Sequence, residues 1–320
     1  MKMKVAIIGG TGFVGSYIID ELISNQITPR VLVRSGSERK LLQPNKTECI
    51  FGDIENTSSI KETLEGCSAV IYLIALIREF PDKNLTNHRL QYSGVKRVVE
   101  VCQEIGLKRF ILMSALGVNK NRTTSQYMIS KYKAEEIMQN SSLDWTIIRP
   151  SSLFGDPRGG GRPEFCLMLN KELLNLIPFP NFLPFPAPSF FKGFNLFKSG
   201  HFALSMVHAK DVATIFIKSI DDNDSHSRII EIGGIEEISW NRIIKTIGKV
   251  TGKKVFMLPT PFFIVSFVAS LLDRFSWFPA GKDQLNDLIL GNTCNSSSIF
   301  KKYNIDPIEF NAKNISYLKD

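Results

Sequence analysis

KVAIIGGTGFVG, residues 4–15, is the stretch from which the rest of the chain is read. KVAII (4–8) is a short apolar run of the kind that forms a strand covered on both faces. Gly9, Gly12 and Gly15 follow three apart, and Val14, Ile18, Leu22 and Ile23 then recur at helical spacing. A strand, a glycine-rich turn and a helix within about thirty residues form a dinucleotide-binding fingerprint. Gly9 permits the tight turn, Gly12 lets the main chain approach a diphosphate, and Gly15 lets the helix sit close on the sheet. The helix N-terminus adds unpaired N–H groups and partial positive charge. Thr11, Phe13 and Val14 belong to the same turn and join the glycines as candidate cofactor-binding residues.

Strands and helices alternate strictly over residues 1–150. RVLVR (30–34), ECIFGD (48–53), AVIYLIAL (69–76), RFILMS (109–114) and WTIIRP (145–150) read as strands, with helices over 84–105 and 124–140. Short apolar strands without alternation predict an α/β fold with a doubly wound parallel sheet, and ligands at the carboxyl ends of its strands. Residues 1–155 are the expected dinucleotide-binding domain, its sheet completed by about residues 205–235. Residues 156–320 are the expected smaller, irregular and apolar part: a substrate-side loop and a C-terminal helical region. There, MVHAKDVATIFIKSI (206–220) reads as a strand end and helix, and RIIEIGG (228–234) as a strand. Ser239 caps a helix running to Thr251, KVFMLP (254–259) is a last strand, and PFFIVSFVASLLDRF (261–275) a very apolar helix. There is no internal repeat.

Composition narrows the function. A formal charge of +8 over 320 residues, with no basic block, gives no sign of nucleic-acid binding but suits an anionic cofactor or membrane surface. Five scattered cysteines (Cys49, Cys67, Cys102, Cys166, Cys294) without a C-x-x-C pair argue for a reducing compartment. Four dispersed histidines show no metal-ligand spacing, so no metal is expected. The opening residues resemble a signal peptide, but glycines break the apolar run and the stretch is needed as a strand. A cytoplasmic chain without signal peptide or membrane span is the expectation.

The second strand ends in Arg34-Ser35, where an acidic residue would hold the ribose 2′-OH of NAD. With Arg30 and Arg39 nearby, a guanidinium suits a 2′-phosphate, so NADP(H) is preferred and NAD(H) remains possible. Asp53, after the third strand, faces the adenine in this reading. In SQYMISKYK, Tyr127 and Lys131 lie one helical turn apart on one face. A phenol is a poor acid–base catalyst at neutral pH, and a neighbouring ammonium lowers its pKa toward a useful range. Ser114, at the end of the fifth strand, is placed to hold the carbonyl or hydroxyl being converted. Ser114, Tyr127 and Lys131 are the candidate catalytic set for hydride transfer.

GGTGFVG (9–15), GDI (52–54), SALG (114–117), YMISK (127–131), IIRPSSLFG (147–155) and MVHAKDVA (206–213), in this order, resemble the short-chain dehydrogenase/reductase superfamily. The chain is more closely similar to the atypical branch that contains NmrA-like proteins and the NADPH-binding accessory subunit of respiratory complex I. The resemblance covers 1–155 and 206–215 well and the apolar C-terminal region more loosely. It implies a Rossmann fold, with Gly9, Gly12 and Gly15 on the pyrophosphate and Arg34 near the adenosine ribose. It also implies Asp53 and Ile54 near adenine, Ala75 along the cofactor, and Tyr127, Lys131 and the backbone after Pro150 near nicotinamide. Two departures matter. The fourth strand, YLIALI, keeps only Ala75 of the Asn-Asn-Ala-Gly found in many active members. Ser114 precedes Tyr127 by thirteen residues, closer than in the nucleotide-sugar epimerases, which weakens a sugar-nucleotide substrate. The resemblance therefore leaves three functions open: an NADP(H)-dependent oxidoreductase, a non-catalytic NAD(P)H-binding structural subunit or redox sensor, and a nucleotide-sugar epimerase or dehydratase.

Residues 177–197 carry Phe179, Phe182, Phe185, Phe190, Phe191, Phe194 and Phe197 with prolines between them. Proline forbids a regular helix or central strand there, so a greasy loop over the cofactor side is expected. It serves either as a lid on the core or as a contact for a quinone-like or isoprenoid substrate or a bilayer. The apolar run at 261–275 is about 18 Å long as a helix, too short for a bilayer core of about 30 Å. It reads as a core helix, with an interfacial helix as the alternative. Peripheral membrane or respiratory-complex association is the corresponding partner expectation, and the oligomeric state is left open.

Overall fold

The computed structural model describes residues 2–76, 79–119, 125–159, 161–175, 183–191, 193, 199–272, 288 and 291–319. The first part of the chain runs β1 (Lys4–Ile8), α1 (Phe13–Ser24), β2 (Thr28–Val33), β3 (Glu48–Phe51), α2 (Thr57–Leu64), β4 (Ala69–Tyr72) and α3 (Gly94–Ile105). It continues with β5 (Arg109–Met113), α4 (Gln126–Gln139) and β6 (Asp144–Pro150). Then come β7 (Leu153–Phe154), α5 (Phe165–Met168), β8 (Phe185–Phe191), β9 (Ala203–Leu204), β10 (Val207–His208) and α6 (Ala209–Lys218). β11 (Arg228–Ile232), β12 (Ile238–Ser239), α7 (Trp240–Val250), β13 (Val255–Pro261) and α8 (Phe262–Leu272) complete the main elements.

Seven strands form one sheet in the order β11-β6-β5-β4-β1-β2-β3, every pair parallel. The chain order reverses at β1, which has β2 on one side and β4 on the other. In doubly wound sheets that reversal opens a crevice at the strand ends. β4, beside the reversal, is apolar for the expected reason: all four of its residues are buried, because helices cover both faces. On one face α1 lies against α6, with Ile18, Leu22, Val212 and Phe216 in the core. On the other, α2, α3 and α4 bring Ile60, Val98, Cys102, Ala134 and Met138 onto the sheet. A third core gathers Phe154, Phe190, Trp240, Ile243, Ile244 and Phe310 in the C-terminal part.

Four details depart from the sequence reading. The fourth strand ends at Tyr72 rather than residue 76, and the helix expected over 84–105 begins with a π-helical stretch, His88–Ser93, before α3. Helix α2 was not foreseen, although Asn56 caps it by accepting a hydrogen bond from Ser59 N at 3.2 Å. The expected loop at 177–197 contains a strand: β8 pairs in parallel with β13 as a separate two-stranded sheet. Pro186 and Pro188 are tolerated because β8 has only this one neighbour and so has an edge that needs no N–H donors. Phe179, Phe182, Phe194 and Phe197 lie outside the described residues.

The apolar helix is the larger correction. Within α8, Phe262 and Val265 pack on the third core and Ala269 is buried, but Phe263, Ile264, Phe267 and Leu271 are exposed, with Phe263 at 69% and Phe267 at 63%, so only one face of the helix belongs to the core. Among the described residues no helix is long and apolar enough to cross a membrane.

Candidate active site

The GGTGFVG turn sits at the sheet's reversal. Gly9 has φ +97°, a left-handed conformation that side chains disfavour, and a Cβ there would lie 3.2 Å from Ile74 N, in the extension of β4. A Cβ on Gly15 would come within 2.5 Å of Gly9 O and 2.7 Å of Gly10 Cα, so only glycine lets α1 start this close to β1. Gly12 is the N-cap of α1, and no side chain accepts from the first-turn N–H groups. Bare main chain, helix N-terminus and crevice coincide, and this cradle fits the diphosphate of a dinucleotide. Thr11, Phe13 and Val14 lie in this turn or the first turn of α1, Thr11 and Phe13 half-buried and Val14 buried.

The adenosine-side candidates differ in availability. Arg34 is exposed immediately after β2, and Arg39 is exposed further on. Arg30 is committed elsewhere: it pairs with Glu48 at 2.8 Å and donates to the carbonyl of Glu65 at 2.6 Å. Asp53, half-buried after β3, accepts from Glu55 N at 3.0 Å and lies 3.9 Å from Arg89; Ile54 beside it is buried. Ala75 is half-buried in the extension of β4, and Pro150 is buried at the end of β6.

Ser114 and Lys131 meet at the end of β5. Lys131, 1% exposed, donates from Nζ to the carbonyl of Met113 at 2.6 Å, one residue before Ser114. Burial pushes the Lys131 ammonium down to about 8, opposed by the negative Glu135. Glu135 is itself buried and held by the Arg149 fork at 2.9 and 2.6 Å. The Lys131 Nζ stands 5.9 Å from the centre of the half-buried Tyr127 ring, as the one-turn spacing requires. Ser114 is 1% exposed, and its Oγ has no hydrogen-bond partner among the described residues. A buried hydroxyl without a partner costs stability unless a ligand completes it. The arrangement supplies a hydroxyl, a phenol and a cation of lowered pKa at the end of the strand next to β4, a set able to hold an oxygen and move a proton.

Sequence reasoning missed several polar residues around this set. Gln91, 1% exposed in the π-helical stretch, donates to Asn87 Oδ1 at 2.5 Å and Leu76 O at 3.4 Å, while its Oε1 is unpartnered. The π-helical geometry is itself a frequent companion of functional sites. Glu135 and Arg149 were also not singled out, because the pairing that matters crosses from α4 to β6. Among the described residues no three acidic, cysteine or histidine side chains are grouped to hold a metal.

Fold and site together define a nucleotide-binding α/β protein of the doubly wound class, with a Ser–Tyr–Lys set at the strand ends. Residues 9–165 match the NAD(P)H-binding family model. UPF0659 protein YMR090W of Saccharomyces cerevisiae is 30% identical over 162 residues, covering 47% of this chain and 70% of that protein. Photosystem II assembly factor Ycf39 of Trieres chinensis is 21% identical over 312 residues, covering 96% and 89%. Among solved structures, UDP-glucose 4-epimerase of Thermus thermophilus in complex with NAD superposes with TM-score 0.70 at 15% identity, covering 99% and 98% of the two chains. The chain belongs to the NAD(P)H-binding family within the NmrA-like, extended short-chain dehydrogenase/reductase superfamily.

Proposed function

We propose that this protein is an NADP(H)-dependent oxidoreductase acting on a hydrophobic carbonyl or quinone-like compound. The observation that carries the reading is the pair formed by the buried Lys131, fixed on the Met113 carbonyl, and the unpartnered buried hydroxyl of Ser114 beside it. A protein that only held a nucleotide gains nothing from burying a cation and an orphan hydroxyl at that point. A nicotinamide held there would supply or accept the hydride. Ser114 Oγ–H donates to the substrate oxygen and orients it. Tyr127 passes its phenolic proton to that oxygen during reduction and takes it back in the reverse direction. Lys131 stabilises the resulting phenolate by its charge. The glycine turn holds the diphosphate, Arg34 the adenosine ribose with its 2′-phosphate, Asp53 and Ile54 the adenine, and Ala75 and the backbone after Pro150 the nicotinamide side. The apolar C-terminal part gives the substrate side its preference for greasy molecules.

The test is NADPH oxidation with a panel of quinones and aldehydes, compared with Tyr127→Phe. Turnover that the substitution abolishes supports an enzyme.

A second reading is favoured by one specific observation, the exposed apolar run formed by Phe256 and Leu258 on β13 and Phe263, Ile264, Phe267 and Leu271 on α8. Such a surface suits a non-catalytic NAD(P)H-holding structural or assembly subunit at a membrane or respiratory complex, or an NmrA-like redox sensor. Ycf39, similar along nearly its whole length, is an assembly factor. Tight NADPH binding without turnover, together with sedimentation on membranes, supports this reading. An epimerase or dehydratase on a nucleotide sugar uses the same Tyr–Lys chemistry, and the thirteen-residue spacing from Ser114 to Tyr127 speaks against it.

A further inference from the structure

The GDPRGGGRP loop (155–163) has no part in the chemistry above, yet both its arginines lie against the cofactor turn. Arg158 reaches back to α1. Its Nη1 pairs with the Asp20 carboxylate, its Nη2 donates to Ser16 Oγ at 2.8 Å, and its guanidinium stands 4.0 Å from the centre of the Tyr17 ring. The Tyr17 hydroxyl closes the loop by donating to Asp156 O at 2.8 Å. Arg162 is deeper, only 4% exposed. Its Nε donates to Thr11 O, inside the GGTGFVG turn, at 3.2 Å, and its Nη2 donates to Lys40 O, in the segment after β2. Its Nη1 donates to the carbonyls of Pro157, Arg158 and Gly159 at 2.9, 3.2 and 3.0 Å.

All these acceptors are neutral carbonyls. A buried guanidinium normally has a counter-charge, because taking it out of water is otherwise expensive. Two other inward-facing arginines show the rule. Arg149 faces Glu135. Arg109 is ringed by carbonyls and hydroxyls much as Arg162 is, but Asp144, Asp221 and Asp222 are near enough to favour its charge. Burial pushes the Arg162 guanidinium down, and the charged neighbour acting on it, Arg158, pushes the same way. Asp20 pairs with Arg158, and Asp156 Oδ1 accepts from Arg158 N at 2.6 Å, but among the described residues no carboxylate pairs with Arg162. The Arg162 charge thus stands without a paired carboxylate beside a helix N-terminus that already favours anions.

We propose that Arg162 is the cation that reads the 2′-phosphate of a bound NADP(H), making this one arginine a determinant of cofactor choice. The contact with Lys40 selects this phosphate, since the segment after the second strand is where the adenosine ribose lies in such sheets. Thr11 places the same guanidinium at the edge of the diphosphate turn. Arg34, by contrast, is solvent-exposed, and a hydrated surface cation contributes less than a desolvated one. The proposal rests on the dinucleotide reading above and moves the main discriminating charge from Arg34 to Arg162.

Fluorescence titration of the full chain with NADPH and with NADH tests it, with thermal unfolding as the control for folding. Wild-type protein is expected to bind NADPH the more tightly. Arg162→Gln is expected to weaken NADPH binding about ten- to a hundredfold more than NADH binding, since losing the bond to Thr11 O loosens the diphosphate turn for both nucleotides while the 2′-phosphate belongs to one. Arg34→Gln is expected to produce a smaller selective loss. Equal losses for both nucleotides, no loss for either, or a wild-type preference for NADH overturns the assignment, while nucleotide binding by wild type leaves the dinucleotide reading standing. Wild-type protein that binds neither nucleotide overturns both. Where Arg162→Gln does not fold, Arg162→Lys carries the test, since it keeps the charge and loses the fork. A greater loss for NADPH than for NADH then supports the proposal, and an equal change or none refutes it.

Discussion

The two ends of this chain spend their apolar residues differently. In the sheet, AVIY of β4 and most of KVAII of β1 vanish between layers of helix. In the β13–α8 segment, an equally apolar sequence leaves Phe256, Leu258, Phe263, Ile264, Phe267 and Leu271 in solvent. Hydrophobicity predicts burial only where the topology supplies a second layer. The parallel sheet supplies that layer, because all its crossovers but the one from β2 to β3 return an α-helix to one of its faces, and β3 is correspondingly part-exposed. β8 and β13 pair only with each other, and α8 follows β13 without a further layer among the described residues.

The sharpest way to press this contrast is to damage the ordered end. Tyr127→Phe and Lys131→Met are expected to lower turnover by about a hundred- to ten-thousandfold with NADPH binding largely kept, read by NADPH oxidation alongside nucleotide titration. Equal losses of binding and turnover would remove the catalytic assignment. Gly15→Ala comes next. The added Cβ meets backbone atoms on Gly9 and Gly10 that have no room to retreat, so a loss of about 2–4 kcal/mol in stability is expected, with nucleotide binding falling too. Denaturant unfolding of Gly15→Ala beside Gly36→Ala separates a steric clash from backbone strain, since nothing lies within 4 Å of Gly36 and its φ of +82° is the only obstacle to a side chain there.

The third expectation concerns pH. Lys131 ionises at about 8 in the fold against 10.5 for the free side chain. Below about 8 both folded and unfolded chains hold the proton, and the buried charge costs stability in full. Between about 8 and 10.5 the unfolded chain binds more protons, so this residue's contribution to stability improves as pH rises. Lys131→Met is therefore expected to stabilise the protein by about 1–3 kcal/mol at pH 7 and by less at pH 10, read by urea unfolding. Turnover moves the other way: it is expected to fall as pH climbs past about 8, when the ammonium that supports the phenolate is lost. A flat profile across that range would separate Lys131 from the chemistry. The smallest effect belongs to the exposed apolar face of α8. Phe263→Ser with Phe267→Ser is expected to shift stability by less than about 0.5 kcal/mol per site, with NADPH binding unchanged and binding of a hydrophobic dye reduced. A large loss of stability would mean that this face is covered in the working protein.

Much of the sheet was legible because its signals are local. Strand, glycine turn and helix over residues 4–24 follow one another without a gap, and Tyr127 and Lys131 share a face by helical period alone. α2 went unread because TSSIKETL is short and weakly apolar, though its Asn56 cap was there to be noticed. β8 was read as a loop because its prolines were weighed as breakers, when a strand with a single partner can carry them. The two prolines forbid a central position, and that part of the reading stands.

By itself the sequence determined the alternation of elements, the bare cradle at Gly9, Gly12 and Gly15, and the one-turn register of phenol and amine. Each is set by neighbours within a few residues, where backbone sterics and period leave little freedom. Only the tertiary structure decided that Lys131 is dry, that Ser114 lies beside its anchoring carbonyl, and that Arg162 comes from 151 residues away to rest on Thr11. Burial, charge balance and contact between distant segments depend on how the layers close, and no local period encodes that closure.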